Sequence, residues 1–365
     1  MAVITDEQLI SLHTADGITL WEFAPEHYAD STWGRRQRDA SSASITLPPQ
    51  PGLERLPKMV PWLHWVSIYD GPRDVLLWTG PIQKATASRA GLGLECKDHA
   101  AYLARTRNPM TKRWDGIDPA YPAGEVWAEM LEVQGIKSRA IVRPDPEGQR
   151  YDFQVVTDQQ MMDQTLKDLV NLGLRWAVVS GTPIIGPVGH EPVAVLGEDD
   201  FIGDGINFVR DGTAVFNDVL VRGPDNLGRA RRDFYGQNLQ TIANLDDMFG
   251  VGNVRRAAEE YVRNASMVRT RLELPSGTEL HPDAPTHIDE LMPSARFVLE
   301  ADGVREMMEL TVVECERRSG VASVKVTMDS LPDRDSEGNF IELETAQNKN
   351  VPKTTLGGTS LGRAG

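Results

Sequence analysis

Short runs of β-branched and aromatic residues stand between polar stretches early in the chain: "SITL" at 44–47, "HWVSIY" at 64–69 and "VLLWTG" at 75–80, bounded by Pro, Gly and Asp. Runs of this kind predict the strands of a small barrel. The stretch "WTGPIQKATASRAGLGLECKDHAAYLARTR", residues 78–107, reads as a strand, a polar turn, a second strand and a short helix, and nothing in it looks chemical. Asp98 is placed to cap that helix, which would carry Tyr102 and Leu103 inward, and Asn108-Pro109 to end it.

From about 109 to 200 the spacing becomes helical. "PAGEVWAEMLEVQGI" puts Trp127, Met130 and Leu131 on one face and stops at Gly135. "TDQQMMDQTLKDLVNLG" opens with a capping box from Thr157 to Gln160, carries Met162, Leu166, Leu169 and Val170 on one stripe and stops at Gly173. "RWAVVSG" follows as a strand. Strands return at "VFNDVLVRG", 215–223, and a polar arm leads to "DFYGQ" and a predicted helical pair. The second of these helices has Val254, Ala257, Ala258, Tyr261 and Val262 on one face, with "GVGNVRR" read as the turn between the two. "ARFVLEADG", "MELTVVECE" and "ASVKVTMDS" read as further strands.

The segments "VLLWTGPIQKATASRAGLGLECKD" and "MELTVVECERRSGVASVKVTMD" echo each other as strand, polar arm and strand. The fold class expected is α+β, mostly β: two similar barrel-like domains, 1–108 and 201–238 with 270–332, an inserted mixed α/β domain at 109–200 and a helical insertion at 239–269. A C-terminal extension, 333–365, has nothing to bury and is expected to be flexible or ordered by a partner.

At 365 residues and 40% hydrophobic content, the chain can fill two to four packed units. No run is apolar for long enough to cross a bilayer, and the acidic start lacks the pattern of a secretory signal, which predicts assembly in a cytoplasm. Cys96 and Cys315 lack CxxC partners and read as small buried hydrophobes. With 38 basic against 53 acidic residues the net charge is -15, which argues against binding by phosphate neutralisation. The basic clusters "GRRQRD" at 34–39 and "GRARRD" at 228–233 are each followed by acid and read as solvated loop or subunit contact.

Candidate chemistry is sparse. "DRDSEGNFIELE", 333–344, sets Asp333, Asp335, Glu337 and Gly338 at positions one, three, five and six of an EF-hand loop, followed by Asn339, Phe340 at eight and Glu344 at twelve. The flanking helices are missing and "DSEGN" is ordinary turn chemistry, so calcium is the one metal considered and no cofactor is expected. His281, Asp283, His287, Asp289 and Glu290 in "HPDAPTHIDE" are ligand types on an irregular, Pro-broken loop read as solvated. "GTSLG" at 358–362 has the letters of a nucleophile elbow around Ser360 without strand, helix or triad partners. Trp62, Trp65, Tyr69 and Trp78 read as barrel core with one or two exposed rims, the rims being the alternative sugar platform. His64 reads as packed.

The order of pieces resembles the baseplate hub proteins at the tail tip of long-tailed bacteriophages, in particular the minor tail proteins of actinobacterial phages. The resemblance runs over residues 1–330 and rests on the strand leading to "CKDHAAYL", on Tyr235-Gly236, and on "LMPSARF", where Ser294 stands at a position more often Gly. It implies a homotrimeric ring whose two similar barrels per chain adapt sixfold to threefold symmetry. It also implies a lumen through which phage DNA passes unbound, with the acids of "GEDD" and "GDG" facing it, a place at the virion tail tip and no catalysis. The partners implied are a distal tail protein or tube ring, a tape measure protein and receptor-binding tip proteins, and Trp78, Tyr235, Arg231 and Arg232 are the interaction residues expected. The alternative is a glycan-binding or hydrolytic tail protein acting on the cell envelope, which release of sugar or peptide from host wall polymers would reveal.

Overall fold

The computed structural model describes residues 2–24, 29–49, 58–89, 91–146, 148–203, 206–213, 215–245, 250–273, 279–301 and 304–331. The first part of the chain supplies strands Gln8–Thr14 (β1), Thr19–Phe23 (β2), Asp30–Arg36 (β3), Ser42–Leu47 (β4), His64–Asp70 (β5), Val75–Ser88 (β6) and Gly91–Lys97 (β7). The middle supplies Lys112–Ile117 (β8), helix Ala120–Val133 (α1), Ile141–Val142 (β9), Tyr151–Val155 (β10), helix Met162–Asn171 (α2), Trp176–Val179 (β11) and Thr182–Ile185 (β12). Pro192–Gly197 (β13), Phe201–Ile202 (β14), Asn207–Asp211 (β15), Asp218–Arg222 (β16), Leu227–Arg231 (β17) and Gln240–Asn244 (β18) come next. Helix Val251–Ala265 (α3), Arg269–Glu273 (β19), Glu279–Leu280 (β20), Arg296–Ala301 (β21), Val304–Arg318 (β22) and Val321–Ser330 (β23) complete the order.

Eleven strands form one sheet in the order β13-β21-β22-β3-β4-β7-β6-β5-β1-β2, with β23 on β22. The class is mostly β, as the patterning implies. The two expected barrels are instead joined as one ladder, which begins at β13, ends at β2 and does not close among the described residues. The join is the antiparallel pairing of β3 with β22, from Ser31↔Arg317 to Arg36↔Val312. Trp33 and Cys315 face each other there, both fully buried, so the two halves share one core. Burying side chains of this size contributes about 1.5–3 kcal/mol each.

The sequence echo survives as two long strands, each serving two neighbours in turn. The first part of β6 pairs with β5 and the remainder with β7. β22 has β23 along one edge from Met308 to Arg318, leaving the other to β21 and then β3. Irregularities between Ile82 and Lys84 and between Leu310 and Val312 interrupt the two ladders, as bulges do where a strand bends. Cys96 and Cys315 are free and buried as expected, and burial raises the pKa of both thiols, which makes them inert.

A second core lies beside the sheet. α1 and α2 bury Trp127, Met130, Leu131, Met162, Leu166 and Leu169 as their spacing requires. α2 starts later than expected, with Met161 at its N-cap, and Thr157 N donates instead to Thr111 Oγ1 at 3.0 Å. The partition by sequence needs two corrections. β16 and α3, placed by sequence in the second barrel and its insertion, pack Val219, Val221, Val254, Ala258 and Val262 into this second core. β13, placed in the mixed domain, is the end strand of the large sheet. Residues 215–265 leave and return on a two-stranded stalk, β15 with β19. The first helix of the predicted pair is absent from 240–244, which form β18 parallel to β16, and "GVGNVRR" begins α3 rather than joining two helices.

The corner between the two cores is the segment after β7. Asp98 caps a 3-10 helix, His99–Arg105, its Oδ1 accepting from Ala100 N at 2.9 Å, and Leu103 is buried. Its Oδ2 accepts from Ser41 N at 2.8 Å and Ser41 Oγ at 2.5 Å. Burial nevertheless pushes its carboxyl up to about 7, while burial holds the adjacent His99 down at about 4. A raised carboxyl favours the folded state as pH falls from about 7 towards 4, whereas His99 penalises it below about 6.5. Asp98→Asn is therefore expected to lose stability relative to wild type as pH falls through that window, by up to about 1.4 kcal/mol per unit. Urea midpoints of both proteins between pH 8 and about 4.5 check this; a gap independent of pH would contradict it.

Candidate functional site

Three parts of the chain meet where β22 passes from β21 to β3. Gln37, just after β3, donates from Nε2 to Ser294 Oγ at 2.7 Å and to Glu309 Oε1 at 2.5 Å. Glu309 on β22 also accepts from Arg175 Nε, 2.9 Å to Oε2, and Arg175 reaches Asp145 Oδ2 at 3.4 Å. Arg38 N donates to Trp176 O at 2.8 Å, and Gln37 bridges to Ala177, so both halves of the sheet and the second core are fixed at one point. Ser294 has φ +76, which explains why a Gly is at home in that turn. Here the Gln37 bond to the hydroxyl offsets the strain.

Buried arginines hold neighbouring loops to the sheet. Arg35, in the cluster read as a solvated or contact segment, is 2% exposed, a correction caused by its place on β3. Its Nη1 donates to Ile288 O at 2.7 Å and Leu291 O at 3.0 Å. Arg317 on β22 donates to Asp6 O at 2.8 Å and Ala29 O at 2.9 Å. The 281–290 loop is anchored by buried Ala284, Thr286 and Ile288, while His281, Asp283, Asp289 and Glu290 stay exposed, as the solvated reading expects. Its ligand types are used locally: Asp289 pairs with Arg73, Arg73 Nη1 lies 3.1 Å from His287 Nε2, and Glu290 Oε2 accepts from His287 N at 3.0 Å. No group of three or more metal-ligating side chains occurs among the described residues. The loop with Asp333, Asp335, Glu337, Asn339 and Glu344, and Ser360, lie outside the described residues.

Of the expected interaction residues, three come together and one does not. The β16–β18 sheet turns Val219 and Val221 onto α3 and presents Arg222, Leu227, Arg229, Arg231 and Ile242 outward. Beyond β17, Phe234 O accepts from Gln237 N across Tyr235-Gly236, both at positive φ, a turn that fixes Tyr235 at 57% exposure. Asn217, fully buried, secures this arm: its Nδ2 donates to Arg232 O at 2.7 Å and Gln237 O at 3.0 Å, and its Oδ1 accepts from Leu239 N at 2.7 Å. Arg231 and Tyr235 are thus exposed on an arm held by Asn217, with Arg232 half-buried between them. Trp78 is instead 2% exposed, its Nε1 donating to Ser41 Oγ at 3.1 Å, because its position on β6 faces the sheet's core. Trp65 is buried too, and His64 is packed, with Nδ1 accepting from Val60 N at 3.0 Å.

The arrangement nearest to nucleophilic chemistry is Ser67 with His13, Oγ to Nε2 2.8 Å. His13 Nδ1 faces Thr14 O rather than a carboxylate, and Ser67 is buried against Thr79 Oγ1 at 2.8 Å. This pair packs strands and presents no nucleophile to a cleft.

No family model matches this sequence, and no curated protein matches it. Solved structures do. A tail protein from Neisseria meningitidis MC58 superposes with TM-score 0.58 at 13% identity, covering 88% of this chain and 96% of that one. The fold is that of phage tail proteins. The 43 kDa tail protein of prophage MuSo2 from Shewanella oneidensis gives 0.54 at 10% identity over 89% and 97% of the two chains. Prophage tail protein gp18 from Listeria monocytogenes EGD-e gives 0.54 at 9% identity over 94% and 99%. Within this tail-protein fold, sequence reasoning missed the corner made by Gln37, Arg175, Ser294 and Glu309. Its one visible signal is an acid inside an apolar strand, "MELTVV".

Proposed function

We propose that the chain is a structural protein of a phage tail and serves as the hub of the tail tip. Three copies form a ring that continues the tail tube, each presenting two related surfaces so that a threefold ring meets a sixfold one. The single observation that supports this most is the unbroken sheet built by both halves of the chain, in a fold matched over nearly its whole length by tail proteins. Such a sheet is a rigid wall, and its worth is shape. The net charge of -15 suits a lumen that lets DNA slide past without holding it. Tube or distal tail protein, tape measure protein and receptor-binding proteins are the partners, with Arg231, Arg232 and Tyr235 as contact residues on the rigid arm. Assembly takes place in the host cytoplasm, and the virion carries the protein at the tip. Gold-labelled antibody against the purified chain should decorate phage particles at the distal end of the tail. Label along the tube, on the head or nowhere on the particle would reject the assignment.

A further inference from the structure

Between the first part of the large sheet and the second core lies a cleft of about 780 Å³ bordered by Trp65, Leu76, His99 and the segment 136–142. It has a character opposite to the rest of the chain. Among the described residues no acid lines it, while Lys137 and Arg139 stand exposed on its border and make no ion pair there. His99 is buried on its wall, and its Nε2 finds no hydrogen-bond partner among the described residues.

The bordering segment leads from α1 into β9. From Ile136 to Val142 exposure alternates: Lys137, Arg139 and Ile141 are outward and Ile136, Ser138, Ala140 and Val142 half-buried. Only Ile141 and Val142 are paired, in parallel with β12. No hydrogen-bond partner is found for the amides of Lys137, Arg139 and Ala140 among the described residues. The edge is held in place because Ser138 Oγ donates to Gly181 O at 2.8 Å and Ile136 N to Leu131 O at 2.8 Å. Ser138 N turns back to Ile136 O at 3.0 Å, and beyond that turn the unpaired amides of Arg139 and Ala140 lead into β9 on a segment fixed in place, which makes this edge a template for a further strand.

We propose that residues 136–142 receive an extended acidic peptide from a partner protein, added as a strand beside this edge. Lys137 and Arg139 pair with its carboxylates, and an apolar side chain between them enters the cleft against Trp65 and Leu76. The alternation of two cations along one face matches an acid at every second residue, which is the spacing of a strand. The inference stands apart from the tail reading, since it rests on the charge and edge geometry of this cleft alone.

The test uses the full chain and fluorescein-labelled peptides of alternating Glu and Val, the same peptide N-methylated at alternate backbone amides, and alternating Lys and Val. Anisotropy should show saturable binding of the Glu–Val peptide, about tenfold or more weaker for the other two. Lys137→Glu with Arg139→Glu, checked by circular dichroism for an intact fold, should lose the Glu–Val peptide by about tenfold or more and gain the Lys–Val peptide. Amide exchange in wild type should slow at 137–141 only when the Glu–Val peptide is present. Equal binding of the Glu–Val and Lys–Val peptides, indifference to N-methylation, or no binding of Glu–Val to wild type at about 1 mM would each overturn the proposal. So would protection of 137–141 that rises with protein concentration alone, which would assign the edge to a second copy of the chain.

Discussion

Gly34→Ala is expected to destabilise the protein by about 3 kcal/mol, the upper end of the range for forcing extra volume into a packed site. Gly34 lies on β3 opposite Glu314 of β22, where the two halves of the sheet join. A Cβ built there would lie 2.5 Å from Val313 O, and the obstacle is backbone, which cannot rotate away. Either β3 or β22 must shift, and Trp33 and Cys315 beside them lose their fit. Gly189→Ala, where a Cβ meets open space, is the control and should stay within about 0.5 kcal/mol of wild type. Denaturant unfolding followed by tryptophan fluorescence checks both; an unchanged midpoint for Gly34→Ala would mean that the β3–β22 pairing does not bind the halves together.

Glu309→Ala is the second large effect. The carboxylate is nearly buried and satisfies Arg175 Nε and Gln37 Nε2 together, so its removal leaves a half-buried guanidinium and an amide without their acceptor. Breaking one side of such a pair costs about 3 kcal/mol or more. Replacing both Arg175 and Glu309 by leucine should cost less than the two single replacements summed, because no uncompensated charge remains. Thermal unfolding of the four proteins tests this; additive losses would show that Arg175 and Glu309 act independently and that the corner is not a coupled unit.

How far the chain could be read from its letters depends on what each signal measures. "HWVSIYD" and "VLLWTGPI" are legible because β-branched and aromatic residues meet a buried surface, and α1 and α2 are legible because a 3.6 period meets one core face. "QKATAS" looked like a turn because it is polar, yet it continues β6 as a solvent-facing ribbon on which Lys84 pairs with Glu95 at 2.7 Å. "QTIAN" carries no periodicity that separates strand from helix, and its partner β16 decided the matter. Val219 and Val221 announce that they are buried without saying in which core, so the partition at residue 200 could not be found from pattern. Among the residues expected at an interface, the exposure of Tyr235 is legible through its Tyr-Gly turn, whereas the burial of Trp78 is not, because a tryptophan suits a core and an interface equally well. Gln37, Arg175 and Glu309 are far apart in sequence, and only the pairing of β3 with β22 and of Gln37 with Ala177 brings them together.

The central claim, that this chain is a ring-forming wall rather than a catalyst, is tested most directly by weighing and imaging the purified full-length protein in one solution. Native mass measurement should give a species three times the 40.4 kDa of a single chain, and averaged electron micrographs of that species should show a threefold annulus around an open centre. A monomer at every concentration, or an oligomer without a central opening, would contradict it.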